Sequence, residues 1–367
     1  MKNNSPYYIE IYNELYLKIL GGEFKDGQQL PTEMELCKQY FVSRITIQKA
    51  LSMLVDKGCL TRIAGKGTFV NQKSKIAKVT PKASIGFVIC DFSSSYGVEL
   101  IKSIEMNAEI SGFDVIIKNS RYDKEREQII LEHLSRTPDI KGIILQPVHD
   151  EYFSSQILNL SLKKYPLVLI DRNLEGVPLP FVGTDNKAIT EKVMNYLFEC
   201  GHKNIAFVSS NPKNTTTIRD RYEAVSEAFS KQNMVNIYAH HYLDIKSAVD
   251  GATSENMAHD IKAIMEHIKN HSDITCIFAA EYSVGRLVKA ALSRLSISVP
   301  ADMSLITFDN VADPFYMAST TFIKQNEYEM GKKAVEILTK SIAGIKSETK
   351  LFLSADLVIK DSIKILS

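Results

Sequence analysis

The sequence predicts an α/β chain in two parts: a small helical module closed by a β-hairpin, then a larger two-lobed, doubly wound, parallel-sheet domain. Three observations carry this. Before residue 58, apolar residues recur three times at helical spacing, and two short β-rich runs follow. From Ala83 onward, continuous apolar runs alternate with amphipathic stretches, as happens when helices cover both faces of a parallel sheet. At 367 residues the chain exceeds one ordinary core, and its charge is divided. Residues 1–82 carry 13 basic and 7 acidic side chains, the remainder 31 and 36. The expected division is a module at 1–71, a linker at 72–82 and a domain at 83–367.

In the first part, Ile9, Tyr12, Leu15, Tyr16, Ile19 and Leu20 line one face of a helix that Gly21-Gly22 stops. Asp26-Gly27 supplies a turn. Thr32 is placed to cap a second helix, its hydroxyl reaching the amide three residues on and Glu35 answering it; this helix should run to about Tyr40. Only Phe41 and Val42 separate it from a third helix, which begins near Ser43, buries Ile47, Ala50, Leu51 and Leu54, and ends at Gly58. Cys59 to Ile63 and Gly67 to Val70 read as strands around an Ala64-Gly65-Lys66 turn. Three helices with a tight second joint and a hairpin make a winged helix-turn-helix, whose third helix enters a major groove.

The side chains suit that use. Ser43, Arg44 and Thr46 stand at the positive end of the third helix, where amides, hydroxyls and a guanidinium can hold phosphate oxygens. Gln48, one turn beyond Arg44, can pair with an adenine edge, and Lys49 can add a phosphate contact. Gly65 and Gly67 let the wing backbone approach a duplex, with Lys66 supplying charge in a minor groove. A phosphate-binding Walker loop at Gly65-Lys66-Gly67-Thr68 is excluded, because Leu60 stands where that pattern needs glycine.

The run Leu30-Pro31-Thr32-Glu33 to Leu36, Val42-Ser43-Arg44-Ile45-Thr46-Ile47, Ala50-Leu51, Gly58 and Gly65-Lys66-Gly67-Thr68-Phe69-Val70 resembles the GntR-type winged-helix DNA-binding domain over about residues 7–71. The resemblance implies DNA contacts from Glu33, Ser43, Arg44, Thr46, the position of Gln48, Gly65 and Lys66. That family usually has a second arginine where this chain has Gln48, so the base read there should differ.

In the larger part, strands are expected at Ile85–Cys90, Val115–Lys118, Gly142–Leu145, Leu167–Ile170, Ile205–Ser209, Ile274–Phe278 and Leu305–Phe308. Helices are expected at Val98–Ile110, Glu125–Leu134, Ile189–Phe198, Arg221–Phe229 and Val284–Leu295. Ligands of such sheets collect at the carboxyl ends of strands. That rule selects Asp91 to Tyr96, Gln146, Asp171-Arg172, Ala279-Ala280-Glu281 and Asp309-Asn310. Carboxylates and guanidiniums beside aromatic faces suit polyols and sugars.

Ile85-Gly86-Phe87-Val88, Leu169-Ile170-Asp171-Arg172, Gly183-Thr184-Asp185-Asn186, Arg219-Asp220-Arg221-Tyr222, Val299-Pro300-Ala301-Asp302 and Phe308-Asp309-Asn310 together resemble the LacI-type effector domain, related to periplasmic sugar-binding proteins, across nearly all of residues 83–367. Residue by residue this implies effector contacts from Asp171, Arg172, Arg221 and Asp309, with Tyr96, Arg219 and Gln325 as further carry-overs. The family commonly has Asn-Asp before the helix that starts near Tyr282, where Ala279-Ala280 stands here. The ligand could therefore be a sugar, or a nucleoside or sugar phosphate. A GntR-type head on a LacI-type body resembles arabinose-repressor-like regulators, which implies a homodimer binding double-stranded operator DNA. The rival from another class is a sugar sensor whose head contacts proteins.

No apolar run approaches a membrane span and the opening residues are too polar for a signal peptide, so a cytoplasmic location is expected. Five dispersed cysteines without a CxxC pair point to reduced, mostly buried thiols. His267 and His271 are expected on a solvated helix face and His240-His241 in a loop, with no metal site. Catalytic motifs such as GxSxG or HExxH are absent from the sequence, and no cofactor or catalysis is expected.

Overall fold

The computed structural model describes residues 7–20, 23–63, 65–71, 83–92, 96–148, 155–213, 215–234, 240–248, 252–310, 320–346 and 349–366. The expected linker at 72–82 lies outside them. Two compact units are formed, Met1–Pro81 and Lys82–Ser367.

The first unit holds helices α1 (Tyr7–Leu20), α2 (Glu33–Tyr40) and α3 (Arg44–Asp56), then strands β1 (Leu60–Ile63) and β2 (Gly67–Val70), which pair antiparallel. Thr32 caps α2 as the spacing requires: its hydroxyl accepts from the Glu35 amide at 3.3 Å, and the Glu35 carboxylate accepts from the Thr32 amide at 2.7 Å. Ser43 caps α3, accepting from the Thr46 amide at 3.4 Å. Ile11, Leu15 and Ile19 of α1 meet Leu36, Ile47, Leu51 and Leu54, and Leu60 and Val70 close the core from the hairpin. Each such side chain contributes about 1.5–3 kcal/mol on burial, which a module this small needs. The hairpin also gains a third strand-like segment: the Leu30 amide donates to the Thr68 carbonyl and Val70 to Gln28, both at 2.9 Å.

The second unit contains two sheets. The first comprises β3 (Ser84–Ile89), β4 (Asp114–Asn119), β5 (Ile140–Leu145), β6 (Leu167–Ile170), β7 (Phe181–Thr184) and β12 (Lys350–Leu353), in the order β12-β7-β6-β5-β3-β4, all parallel. The second comprises β8 (Ile205–Val208), β9 (Cys276–Ala279), β10 (Ser304–Phe308), β11 (Thr321–Lys324) and β13 (Asp356–Val358), in the order β13-β11-β10-β9-β8. Their helices are α4 (Val98–Ile110), α5 (Lys124–Arg136), α6 (Ser155–Leu162), α7 (Asn186–Glu199), α8 (Thr216–Lys231), α9 (Ser254–Asn270), α10 (Tyr282–Arg294) and α11 (Glu327–Ile342). Each sheet is buried on both faces, which explains the apolar strands.

The all-parallel expectation fails at one edge, where β13 runs antiparallel to β11. An edge strand can reverse without altering the covered interior. The topology also returns: α11 follows the strands of the second lobe but packs Met330, Ala334 and Leu338 against Leu100 and Ile104 of the first. The chain therefore passes between lobes after β7, after β11 and after β12. Among the described residues no helix is long and apolar enough to cross a membrane, and no group of three or more His, Cys, Asp or Glu is placed to hold a metal ion.

Candidate nucleic-acid interface and effector site

At the start of α3 the arrangement is set by Glu33. Its Oε2 accepts from Arg44 Nε at 2.8 Å and from Gln48 Nε2 at 2.9 Å, and Arg62 Nη2 lies 3.9 Å from Oε1. The hydrogen bond from Arg44 holds the Glu33 carboxyl below its usual range, with Gln48 adding to the effect. Arg44 and Gln48 thus share one outward face as their spacing requires, and the Arg44 side chain remains 70% exposed. Glu33 thus braces both Arg44 and Gln48. Ser43 and Thr46 hydroxyls lie 2.9 Å apart at the helix start. Lys49 points differently, its ammonium 5.0 Å from the Tyr8 ring centroid.

The wing has a support that the sequence did not reveal: Gln29 Nε2 donates to the Lys66 carbonyl at 2.8 Å, from 37 residues away. Lys66, Gly65 and Gly67 are exposed at the tip. Gly67 has φ +119°, and a Cβ there would stand 2.5 Å from Gln29 Nε2. The Gln29 side chain can move, whereas the backbone angle cannot be adopted cheaply by alanine; such conformations cost about 1–3 kcal/mol. Gly67→Ala is expected to lower the melting transition of the first unit by several degrees in calorimetry while the second unit's transition stays in place. An unchanged first transition would show that the wing tolerates another backbone conformation.

In the second unit the residues at strand ends converge from both lobes. Asp171, just past β6, has φ +65°, and its Oδ2 accepts from Gln146 Nε2 at 2.8 Å. Gln146 Oε1 in turn accepts from the Cys90 amide at 3.1 Å. Arg172 Nη1 donates to the carbonyls of Val148 (2.8 Å) and Pro147 (3.3 Å), its guanidinium lies 5.6 Å from the Tyr122 ring centroid, and its buried Nε has no partner among the described residues. From the second lobe, Asp309 follows β10 at φ +57° and accepts from Gln325 Nε2 at 3.0 and 3.2 Å. Gln325 Oε1 accepts from Thr184 Oγ1 at 2.7 Å, joining two of the interlobe passages. Arg221 stacks 3.4 Å from the Phe308 ring centroid, donating from Nε to Asn186 Oδ1 (2.8 Å) and from Nη1 to the Ala280 carbonyl (2.7 Å). Burial pulls its basicity down, while Asp309, Glu281, Asp171 and Tyr96 act to raise it. These groups of opposite lobes therefore share one electrostatic site.

Burial pushes the Asp309 carboxyl up to about 8 against the pull of Arg221, and pushes Glu127 up to about 7. Glu127 supports the Arg172 loop by accepting from the Val148 amide at 2.8 Å. A carboxyl with a raised folded pKa contributes stability that is complete below its unfolded value and is lost as pH rises through the folded one. His241, pushed by burial to about 4, and His267, lowered by burial, act in the opposite sense, but only below the ordinary histidine range. Between pH 6.5 and 8 the carboxyls decide the sign, so stability of the second unit should fall with rising pH. Asp309→Asn should flatten that slope in melting curves; an identical slope in the variant would exclude Asp309 as its source.

The remaining expected residues are distributed as follows. Tyr96 is half-buried with its hydroxyl 3.9 Å from Met330 Sδ, close enough to Asp171 and Asp309 to feel their charge. Arg219 is brought to Glu175 at 2.8 Å, a contact between lobes, beside Thr216 Oγ1, which accepts from the Asn173 amide at 3.2 Å. Ala279 and Ala280 are buried in the apolar core, and the next residue, Glu281, is an acid whose charge acts on Arg172 and Tyr122. Tyr122 was missed. It stands three residues beyond the end of β4, where the strand-end rule applied to that strand would have found it. The expectation for the histidines is corrected: His240 and His241 are buried, His267 Nε2 meets the His240 carbonyl at 2.8 Å, and the His267 and His271 rings lie 4.4 Å apart. They pack against the β8 edge because Tyr242 continues it through a bridge to Val208.

A winged helix with an exposed arginine at its leading end, in one chain with a two-lobed α/β body, defines a transcription regulator that couples a DNA-binding head to a periplasmic-binding-protein-like domain. Residues 7–70 match the bacterial regulatory proteins of the gntR family and residues 194–363 the periplasmic binding protein-like domain, so the chain carries a GntR-type head and a periplasmic-binding-protein-like body. It is 24% identical to the arabinose metabolism transcriptional repressor of Geobacillus stearothermophilus over 373 residues, covering 98% of both chains. With the transcriptional repressor PurR of Haemophilus influenzae it shares 25% identity, covering 78% of this chain and 83% of the other. Among solved structures, the regulator CcpA of Lactococcus lactis superposes with a TM-score of 0.66 at 20% identity, over 77% of this chain and all of the other. The regulator CelR in its cellobiose complex does so with a TM-score of 0.66 at 18% identity, over 88% and 91%.

Proposed function

We propose that this chain is a cytoplasmic, non-enzymatic repressor of carbohydrate-utilisation genes, binding operator DNA as a homodimer and a small sugar-like effector between the lobes of its second unit. The observation that carries the reading is the hydrogen-bonded path from Asp309 through Gln325 to Thr184, which joins the strand ends of the two lobes, with Asp171 and Arg172 at the strand end of one and Arg221 beside Phe308 in the other, where such sheets take ligands. Carboxylates and guanidiniums facing Tyr96 and Tyr122 suit a ligand with several hydroxyls and an apolar ring face. Ser43, Arg44, Thr46, Gln48, Gly65 and Lys66 form the DNA-facing set, with Glu33 holding Arg44 and Gln48 in place. The relatives named as an arabinose metabolism transcriptional repressor and a ribose operon repressor support a carbohydrate effector.

Regulation is then a population shift: an effector that prefers closed lobes changes DNA affinity only by that preference. Two symmetric heads require a pseudo-palindromic operator. A thermal-shift screen across sugars, sugar phosphates and nucleosides tests the effector reading. The hit should stabilise the wild-type chain and fail to stabilise Asp309→Ala or Arg172→Ala; equal shifts in all three clear these residues of the role. Gel shift at varied salt tests the head, since phosphate contacts make affinity fall steeply with salt.

A further inference from the structure

The leading end of α3 carries apolar surface that no described residue of the chain covers. Phe41, in the turn before α3, is 94% exposed, and Ile45, the second residue of the helix, is 71% exposed. Scattered exposed apolar residues are ordinary, but these two flank Ser43 and Arg44. Phe41 bears a second cost. The end of α2 demands a left-handed residue, with the Phe41 amide donating to the Cys37 carbonyl, and φ there is +53°. Glycine or asparagine adopts that geometry readily; a phenylalanine is disfavoured. Ile45 lies opposite the buried stripe of Ile47, Ala50, Leu51 and Leu54, and shares a face with Gln48 and Lys49 at three and four residues' distance.

We propose that Phe41 and Ile45 are the apolar part of the DNA interface, with Ile45 packing on a thymine methyl in the major groove and Phe41 on the adjoining deoxyribose. The occupant follows from position. The two side chains interrupt a surface of Ser43, Arg44, Thr46 and Gln48 donors, so whatever covers them must also present acceptors and anionic oxygens. Among the groups displayed on major-groove base edges, the thymine C5-methyl is the apolar one. Ile45 then discriminates thymine from cytosine beside two side chains whose reach is limited by Glu33.

The inference rests on the DNA-binding reading, and the test separates the two. A duplex is selected from a random library by the full-length protein, and its thymines are replaced by uracil one at a time. Failure to select any duplex overturns the DNA-binding reading itself. With a duplex in hand, one thymine per half-site should lose about fourfold in affinity on replacement, the worth of one buried methyl. Ile45→Ala should lose at least as much on the thymine duplex and show no further loss on the uracil one. Phe41→Asn should raise the melting temperature of the first unit yet weaken binding, with the salt dependence unaltered because no phosphate contact is removed. Indifference to uracil at every position, or a thymine preference that persists in Ile45→Ala, overturns the role of Ile45. Full affinity in Phe41→Asn overturns that of Phe41.

Discussion

Arg44→Ala is expected to abolish operator binding at physiological salt while leaving the fold intact. One good guanidinium contact to a base edge is worth about 1–3 kcal/mol. In a homodimer the change occurs in both heads, so about 4 kcal/mol is lost in all, near a thousandfold in affinity. The substitution costs little stability, because the Arg44 side chain is 70% exposed and its ion pair with Glu33 lies at the surface. Fluorescence anisotropy against salt gives the affinity and its slope. Glu33→Gln separates bracing from contact: if Glu33 acts by aiming Arg44 and Gln48, the variant binds more weakly and discriminates less between duplexes, with Arg44 still contributing. Affinity within twofold of wild type in Arg44→Ala would mean that α3 does not lead into the duplex.

Where a structural determinant is local, it was legible in the residues. The Thr32–Glu35 box and the Ser43 cap each span four residues, and the Arg44–Gln48 face follows from one helical turn. Burial on both faces made the strands at Ile85, Gly142 and Leu167 visible as apolar runs, and the strand-end rule led to Asp171, Arg172 and Asp309. What could not be read depends on partners distant in sequence. Gln29 reaches Lys66 across 37 residues, and nothing in the Gln28-Gln29 dipeptide announces it. Lys49 resembled a free phosphate-binding cation until α1 brought Tyr8 against it. The short β13 is half-exposed, so it lacked the apolar signature of its neighbours. The assignment of α11 to the first lobe rests on Met330 and Leu338 finding Leu100 and Ile104, a pairing that periodicity does not encode. The histidines illustrate the same limit: the spacing brought His267 and His271 side by side, but α9 ends at Asn270 with His271 as its cap, and only the packed strand edge shows that His267 is covered.

Arg221→Ala should destabilise the second unit by about 3 kcal/mol. The guanidinium satisfies two buried acceptors, Asn186 Oδ1 and the Ala280 carbonyl, and stacks on Phe308. Leaving a buried polar group unsatisfied costs about 1–3 kcal/mol each, and the stacking contact adds to that. The loss of charge is less damaging than for an ordinary buried pair. Asp309 already takes up its proton near pH 8, and without Arg221 it would do so at still higher pH, so no bare carboxylate remains. Arg221→Lys provides the control: it returns a cation but not the planar fork, and should recover less than half of the loss. The contacts arise from the first interlobe passage at Asn186 and from the ends of β9 and β10, so Arg221 ties the hinge to the floor of the second lobe. Its removal should therefore also weaken effector-induced stabilisation beyond the loss in the free chain. Denaturant midpoints with and without the effector separate these two quantities, and a variant within about 0.5 kcal/mol of wild type in both would show that Arg221 is neither a structural tie nor a ligand contact.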